Sequence, residues 1–120
     1  MIMETDMESS GSLEMMKRLR MECEMRVDRT IPKINEIIEQ FDERENPRFI
    51  TQSIYDVREN IDRIRDYCHM NVYEYENVLR LLQHAVNFIK LNRKLAYDDI
   101  INVKQNILRL KSSQRLLHIL

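Results

Sequence analysis

Five residues carry the types that bind metals or act as nucleophiles: Cys23, Cys68, His69, His84 and His118. A structural zinc site shows paired ligands, such as Cys-x2-Cys with His-x3-His. No such pairing occurs here. Cys68 and His69 are neighbours, so on a helix they point about 100° apart and do not share one metal. The same adjacency is the wrong geometry for a thiolate–imidazolium pair. Cys23 and Cys68 both fall on apolar stripe positions, where a cysteine acts as a small hydrophobe. They are expected as reduced thiols of a cytoplasmic or nuclear protein. Paired carboxylates occur at Asp98-Asp99 and at Glu74/Glu76. Acid–base work needs two carboxyls in unlike environments; a helix N-cap and solvated charge account for these. The expectation is a protein that is not an enzyme and holds no metal or cofactor.

Composition decides which elements position these residues. The chain has 120 residues, 43% hydrophobic and 32% charged, with one glycine (Gly11) and two prolines. Sheets and barrels need Gly, Asn and Pro to turn corners, and a dinucleotide or P-loop site needs glycines under phosphate. The fold class is therefore all-α: a three- or four-helix bundle, or a helical hairpin with coiled-coil character. Residues 1–11 are Met-rich and acidic, without period, and read as a flexible tail. Residues 12–120 read as a single helical domain. The start has no basic n-region or apolar h-region of a signal peptide, no apolar run reaches the roughly 20 residues of a membrane span, and no Gly follows Met1 for myristoylation. Integral membrane insertion is not expected.

Helical periodicity gives the elements. Ser12 is a candidate N-cap for residues 12–43, whose stripe is Leu13, Met16, Cys23, Val27, Ile31, Ile34, Ile38 and Phe41, with Arg20 in the gap. Pro32 either kinks this helix or lies in the first turn of a second one capped by Thr30. Asn46-Pro47 marks the firmest break. Ile50, Ile54, Val57, Ile61, Ile64 and Cys68 then alternate spacings of four and three, a narrow a/d seam. The same register runs on through Asn71, Tyr75, Val78, Leu82, Ala85, Ile89 and Asn92 with a broader apolar face. Residues 48–69 and 72–92 read equally as two helices or one. A last helix over 98–118, capped by Asp98 or Asp99, repeats Ile100, Val103, Ile107, Leu110 and Leu117.

The seam suggests the work. A helix inside a globular bundle shows a broad apolar face, so the narrow seam of Ile50, Ile54, Val57, Ile61 and Ile64 is the expected partner-binding set. Polar residues interrupt the stripes at Arg20, Asn71, Asn92 and Gln114, and an asparagine in a seam can fix register and partner number. The chain reads as a scaffold or adaptor subunit assembling with other helical chains, in a hetero- or homo-oligomer within an intracellular complex. Small helical subunits of this general look occur in tethering, kinetochore and co-regulator complexes, a likeness of architecture only. Two other readings compete. In one, the basic C-terminal helix (Lys104, Arg109, Lys111, Arg115) meets nucleic acid, with Tyr67, Tyr73 and Tyr75 as stacking rings. In the other, an autonomous bundle binds a peptide or effector. Nucleic acid is the weaker, because the bases are diluted rather than clustered. Residues 100–118 would also suit a membrane surface, though bundle core is the commoner use of such a face.

Overall fold

A computed structural model describes the backbone of residues 2–119 and the side chains of residues 13–112. Four helices follow one another: α1 (Ile2–Asp42), α2 (Pro47–Cys68), α3 (Val72–Phe88) and α4 (Arg93–Ile119). No strand occurs among the described residues. The chain reverses at each turn, giving an up-down-up-down bundle. α1 lies between α2 and α4, and α3 closes the ring against the same two helices. The molecule is a rod of 64 × 23 × 22 Å.

The turns explain why the helices stop where they do. α1 ends in a Schellman motif: Arg44 adopts φ 55°, Glu45 N–H donates to Gln40 C=O at 2.9 Å and Arg44 N–H to Phe41 C=O at 3.2 Å. α2 ends at His69, also left-handed at φ 52° and ψ 42°. Glycine is the usual residue at such positions, because a Cβ costs about 1–2 kcal/mol there. Each new helix is capped by an asparagine. Asn46 accepts from Arg48 N–H at 2.9 Å with Pro47 in the first turn, Asn71 from Glu74 N–H at 2.9 Å and Asn92 from Leu95 N–H at 3.1 Å. Replacing His69 by Gly should raise stability by about 0.5–1 kcal/mol, the left-handed strain relieved less the added chain entropy. Urea denaturation measures it; a lower midpoint would contradict the strained-cap account.

Several sequence expectations need correction at the helix ends. α1 is continuous from Ile2, so Ser12 lies inside it and does not begin it. Pro32 also sits inside α1 without dividing it. Thr30 is no cap: it is a buried stripe residue whose hydroxyl donates to Arg26 C=O at 2.7 Å. Pro32 is exposed, so the carbonyl of Asp28 that its missing N–H leaves unpaired lies on a solvent-facing turn. Residues 48–92 are two helices. Asn71 and Asn92 are helix caps, not seam residues, and α4 starts at Asn92 rather than at Asp98 or Asp99.

The core is one cluster drawn from all four helices. α1 contributes Cys23, Val27, Ile34, Ile37 and Phe41; α2 contributes Ile50, Ile54, Val57, Ile61, Ile64 and Cys68. α3 adds Val78, Leu82 and Ala85, and α4 adds Ala96, Ile100, Val103, Ile107 and Leu110. The α1 stripe runs 23, 27, 30, 34, 37, 41. Ile31 and Ile38 stand at its edge, half-buried.

The cysteines are not free thiols. Cys23 and Cys68 face each other across α1 and α2 with Cα atoms 4.9 Å apart and are joined by a disulfide. Antiparallel pairing explains it. The α1–α2 turn puts residues equally far from it side by side, and both stripes place a cysteine inward at that level. The inference of a cytoplasmic or nuclear home from reduced thiols loses its basis.

Candidate functional site

The five seam residues Ile50, Ile54, Val57, Ile61 and Ile64 are at most 1% exposed in the lone chain. α2 packs chiefly on α1 and only lightly on α3. In a rod 23 Å across, that single main neighbour needs only a narrow stripe. The seam is therefore closed internally, and its width is no sign of a missing chain.

Uncovered apolar surface lies elsewhere, on the first half of α1. A 41-residue helix is about 61 Å long and the 22 residues of α2 span about 33 Å. The disulfide holds the end of α2 level with Cys23. Residues 2–22 of α1 therefore project about 30 Å past α2 as a helical arm. On its described part, Leu13, Met15, Met16 and Met21 are 61–70% exposed. Leu13 and Met16 continue the buried α1 stripe in phase, through half-buried Arg20, but have no α2 opposite them. A groove of about 360 Å³ runs along the arm where it leaves the bundle, lined by Glu14, Met15, Arg18, Leu19, Glu22 and Tyr67. Tyr67, from the last turn of α2, forms its inner end, with the Arg26 guanidinium 5.3 Å from its ring.

The titratable groups work mainly as fasteners between helices. His84 Nδ1 lies 2.5 Å from Asp99 Oδ2, joining α3 to α4, and its imidazole rests 4.4 Å from the Phe88 ring. Asp99 is buried, which explains why a carboxyl stands on the inner face of α4 at all: it needs this partner. The Tyr75 hydroxyl donates to Asp62, joining α3 to α2, and Arg65 stacks 4.6 Å from the same ring. The Asp62 hydrogen bond, aided by burial, raises the Tyr75 pKa above its ordinary 10. The fold thus favours the protonated phenol. That contribution is complete below pH 10 and is lost as pH rises through the higher folded value. Arg93 Nη2 reaches the carbonyls of Phe41 at 3.2 Å and Glu45 at 3.4 Å, placing a cation on the C-terminal end of α1.

The basic residues of α4 are dispersed. Lys111 Nζ sits 2.6 Å from Asp28 Oδ1, Lys104 is half-buried, and Arg109 borders a small groove with Met70, Glu74, Asn106 and Leu110. The side chains of Gln114, Arg115, Leu117 and His118 lie outside the described residues. Of the three tyrosines around the α2–α3 turn, only Tyr73 is fully open, at 84%. The turn therefore offers one free ring, not a stacking row.

The chain matches no family model, curated protein or solved structure. Among the described residues no three His, Cys, Asp or Glu side chains gather where they could hold a metal ion, and no helix is long and apolar enough to cross a membrane. The arm was half legible in the sequence. Leu13 and Met16 share the phase of Cys23 and Val27, but periodicity does not say where the partner helix ends. That limit is set by the α2–α3 turn, which carries neither Gly nor Pro.

Proposed function

We propose that this chain is a non-catalytic helical adaptor, a four-helix bundle that holds out the first half of α1 as an arm for another helical chain. The observation that supports this reading is the exposed Leu13–Met16 stripe, a continuation of the bundle's own seam beyond the end of α2. Most helical stability in proteins comes from packing an apolar face, and the exposed stripe of the arm has no such cover within the chain. Methionine suits a docking surface because its flexible, polarizable side chain adapts to the partner. The partner contacts are thus moved from Ile50, Ile54, Val57, Ile61 and Ile64 to the arm. The role is still the one expected from the sequence, assembly through helix faces.

The test separates assembly from folding. The double variant Leu13→Glu/Met16→Glu should melt within about 0.5 kcal/mol of wild type, because both sites are exposed. Wild type should run in extract well above its 14.6 kDa mass, and the captured chain, once purified, should rebind wild type but not the variant. Wild type running alone, or a variant that assembles normally, overturns the reading.

A further inference from the structure

We infer that the Cys23–Cys68 disulfide is a redox latch on the arm: a dithiol reductant that opens it releases the last turn of α2 and takes apart the inner end of the groove, so that the oxidised chain docks its partner and the reduced chain does not. The docking half rests on the adaptor reading; the release of α2 stands without it. The bond lies where α1 and α2 part. Cys68 is the last residue of α2, and Cys23 is the first buried residue described on α1. The groove is built on the same two turns. Tyr67 and Glu22 line it, and each is the neighbour of a bonded cysteine. Arg26 ties them together, with its guanidinium 5.3 Å from the Tyr67 ring and Nη2 3.5 Å from Glu22 Oε1.

Apart from the bond, that end of α2 is weakly held. After Ile64, Arg65 and Asp66 are exposed and Tyr67 is half-buried, and α2 packs only lightly on α3. The Tyr75 contacts hold Asp62 and Arg65, at and before the start of the turn. The turn then stops at His69, in a left-handed conformation that disfavours a residue with a Cβ. Both sulfurs are shielded, Cys23 at 0% and Cys68 at 3% exposure, so exchange waits on fraying of this helix end, a local opening that leaves the bundle folded. A thiolate of the reductant attacks the Cys68 sulfur, forms a mixed disulfide and displaces Cys23 as a thiolate, which takes up a proton. The second thiol of the reductant then displaces Cys68 in the same way. Two electrons have passed: the protein gains two thiols and the dithiol becomes its cyclic disulfide. A disulfide oxidant runs the steps backwards. As a thiol, Cys68 still packs as a small hydrophobe, a slight hold for the end of a helix. The two unbonded sulfurs move out to van der Waals contact, Tyr67 leaves Arg26, and the groove loses its inner wall.

Three measurements on the full chain test this. Reduction by dithiothreitol, followed in urea below the unfolding transition, should change in rate by less than about twofold, as local fraying requires. A rate that climbs with the slope of global unfolding overturns the latch, because the bond would then open only when the bundle does. In the pure chain, held at low temperature where the reduced form is folded, backbone order parameters over residues 65–70 should fall from about 0.85 to below about 0.6 on reduction. Values unchanged there overturn the release of α2, whatever the chain does in extract. The chain captured from a non-reducing extract should bind the reduced protein at least about tenfold more weakly than the oxidised one. Cys23→Ala/Cys68→Ala should bind it as weakly as the reduced protein, with or without dithiothreitol. A captured chain that binds both redox forms alike overturns the latch and leaves the adaptor reading standing. Wild type running alone in that extract sinks the adaptor reading and the docking half with it, and the first two measurements still decide whether the bond releases α2.

Discussion

Reduction of the Cys23–Cys68 bond should lower stability by about 4 kcal/mol, the loop-closure entropy of a separation of 45 residues. Against a total of about 5–15 kcal/mol for a domain, that is a large share, and the melting temperature should fall by roughly 10–20 °C. The fold should nonetheless survive at low temperature. Both sulfurs sit in the core, and a buried thiol packs as a small hydrophobe. The loss should therefore appear as a shifted, still cooperative transition. Intact mass under non-reducing conditions tests the bond itself: the oxidised chain is lighter by two hydrogens. Thermal melts with and without reductant test its energetic role, and Cys23→Ala/Cys68→Ala should melt with the reduced protein. An identical melting temperature in all three would mean the bond does not form in solution. The bond also sits at the base of the arm, so reduction loosens the point from which α1 leaves the bundle. A disulfide of this kind persists in an oxidising setting.

The bundle was readable because its core obeys period alone. Every buried residue of α2 lies on the four-and-three spacing from Ile50 to Cys68, and the core of α4 follows the same spacing from Ile100 to Leu110. What escaped were the places where backbone chemistry overrides period. The register passes from Cys68 through Asn71 to Val78 without a slip, so period alone leaves residues 48–92 open as one helix or two. The turn is made by His69 in a left-handed conformation, with no glycine to announce it. Asn71 and Asn92 keep the phase of the seam, although asparagine before an apolar run is equally a cap. The disulfide was hidden for another reason. Two cysteines on stripe positions look inert until antiparallel pairing sets them at the same level. The arm was hidden because an exposed stripe and a buried one have the same spacing; only the length of the neighbouring helix tells them apart.

Ile61→Glu distinguishes an internal seam from a binding seam. Ile61 is fully buried in the middle of α2, facing α1. The substitution removes a packed side chain and places a carboxylate within the apolar core cluster. Loss of isoleucine packing costs about 2–5 kcal/mol, and an unpaired buried charge adds several more or forces the carboxyl to take up a proton. Together these match or exceed the stability of an ordinary domain. The variant should therefore lose its cooperative melt and its dispersed amide spectrum at 25 °C, with partial recovery at low pH where the carboxyl is neutral. Leu13→Glu, one hydrophobe to the same acid in the same stripe phase, should leave the melt within about 0.5 kcal/mol of wild type. That contrast carries the argument, because the two residues differ chiefly in whether the chain itself covers them. An Ile61→Glu chain that folds normally yet fails to assemble would return the partner contacts to α2 and remove the reason for assigning them to the arm.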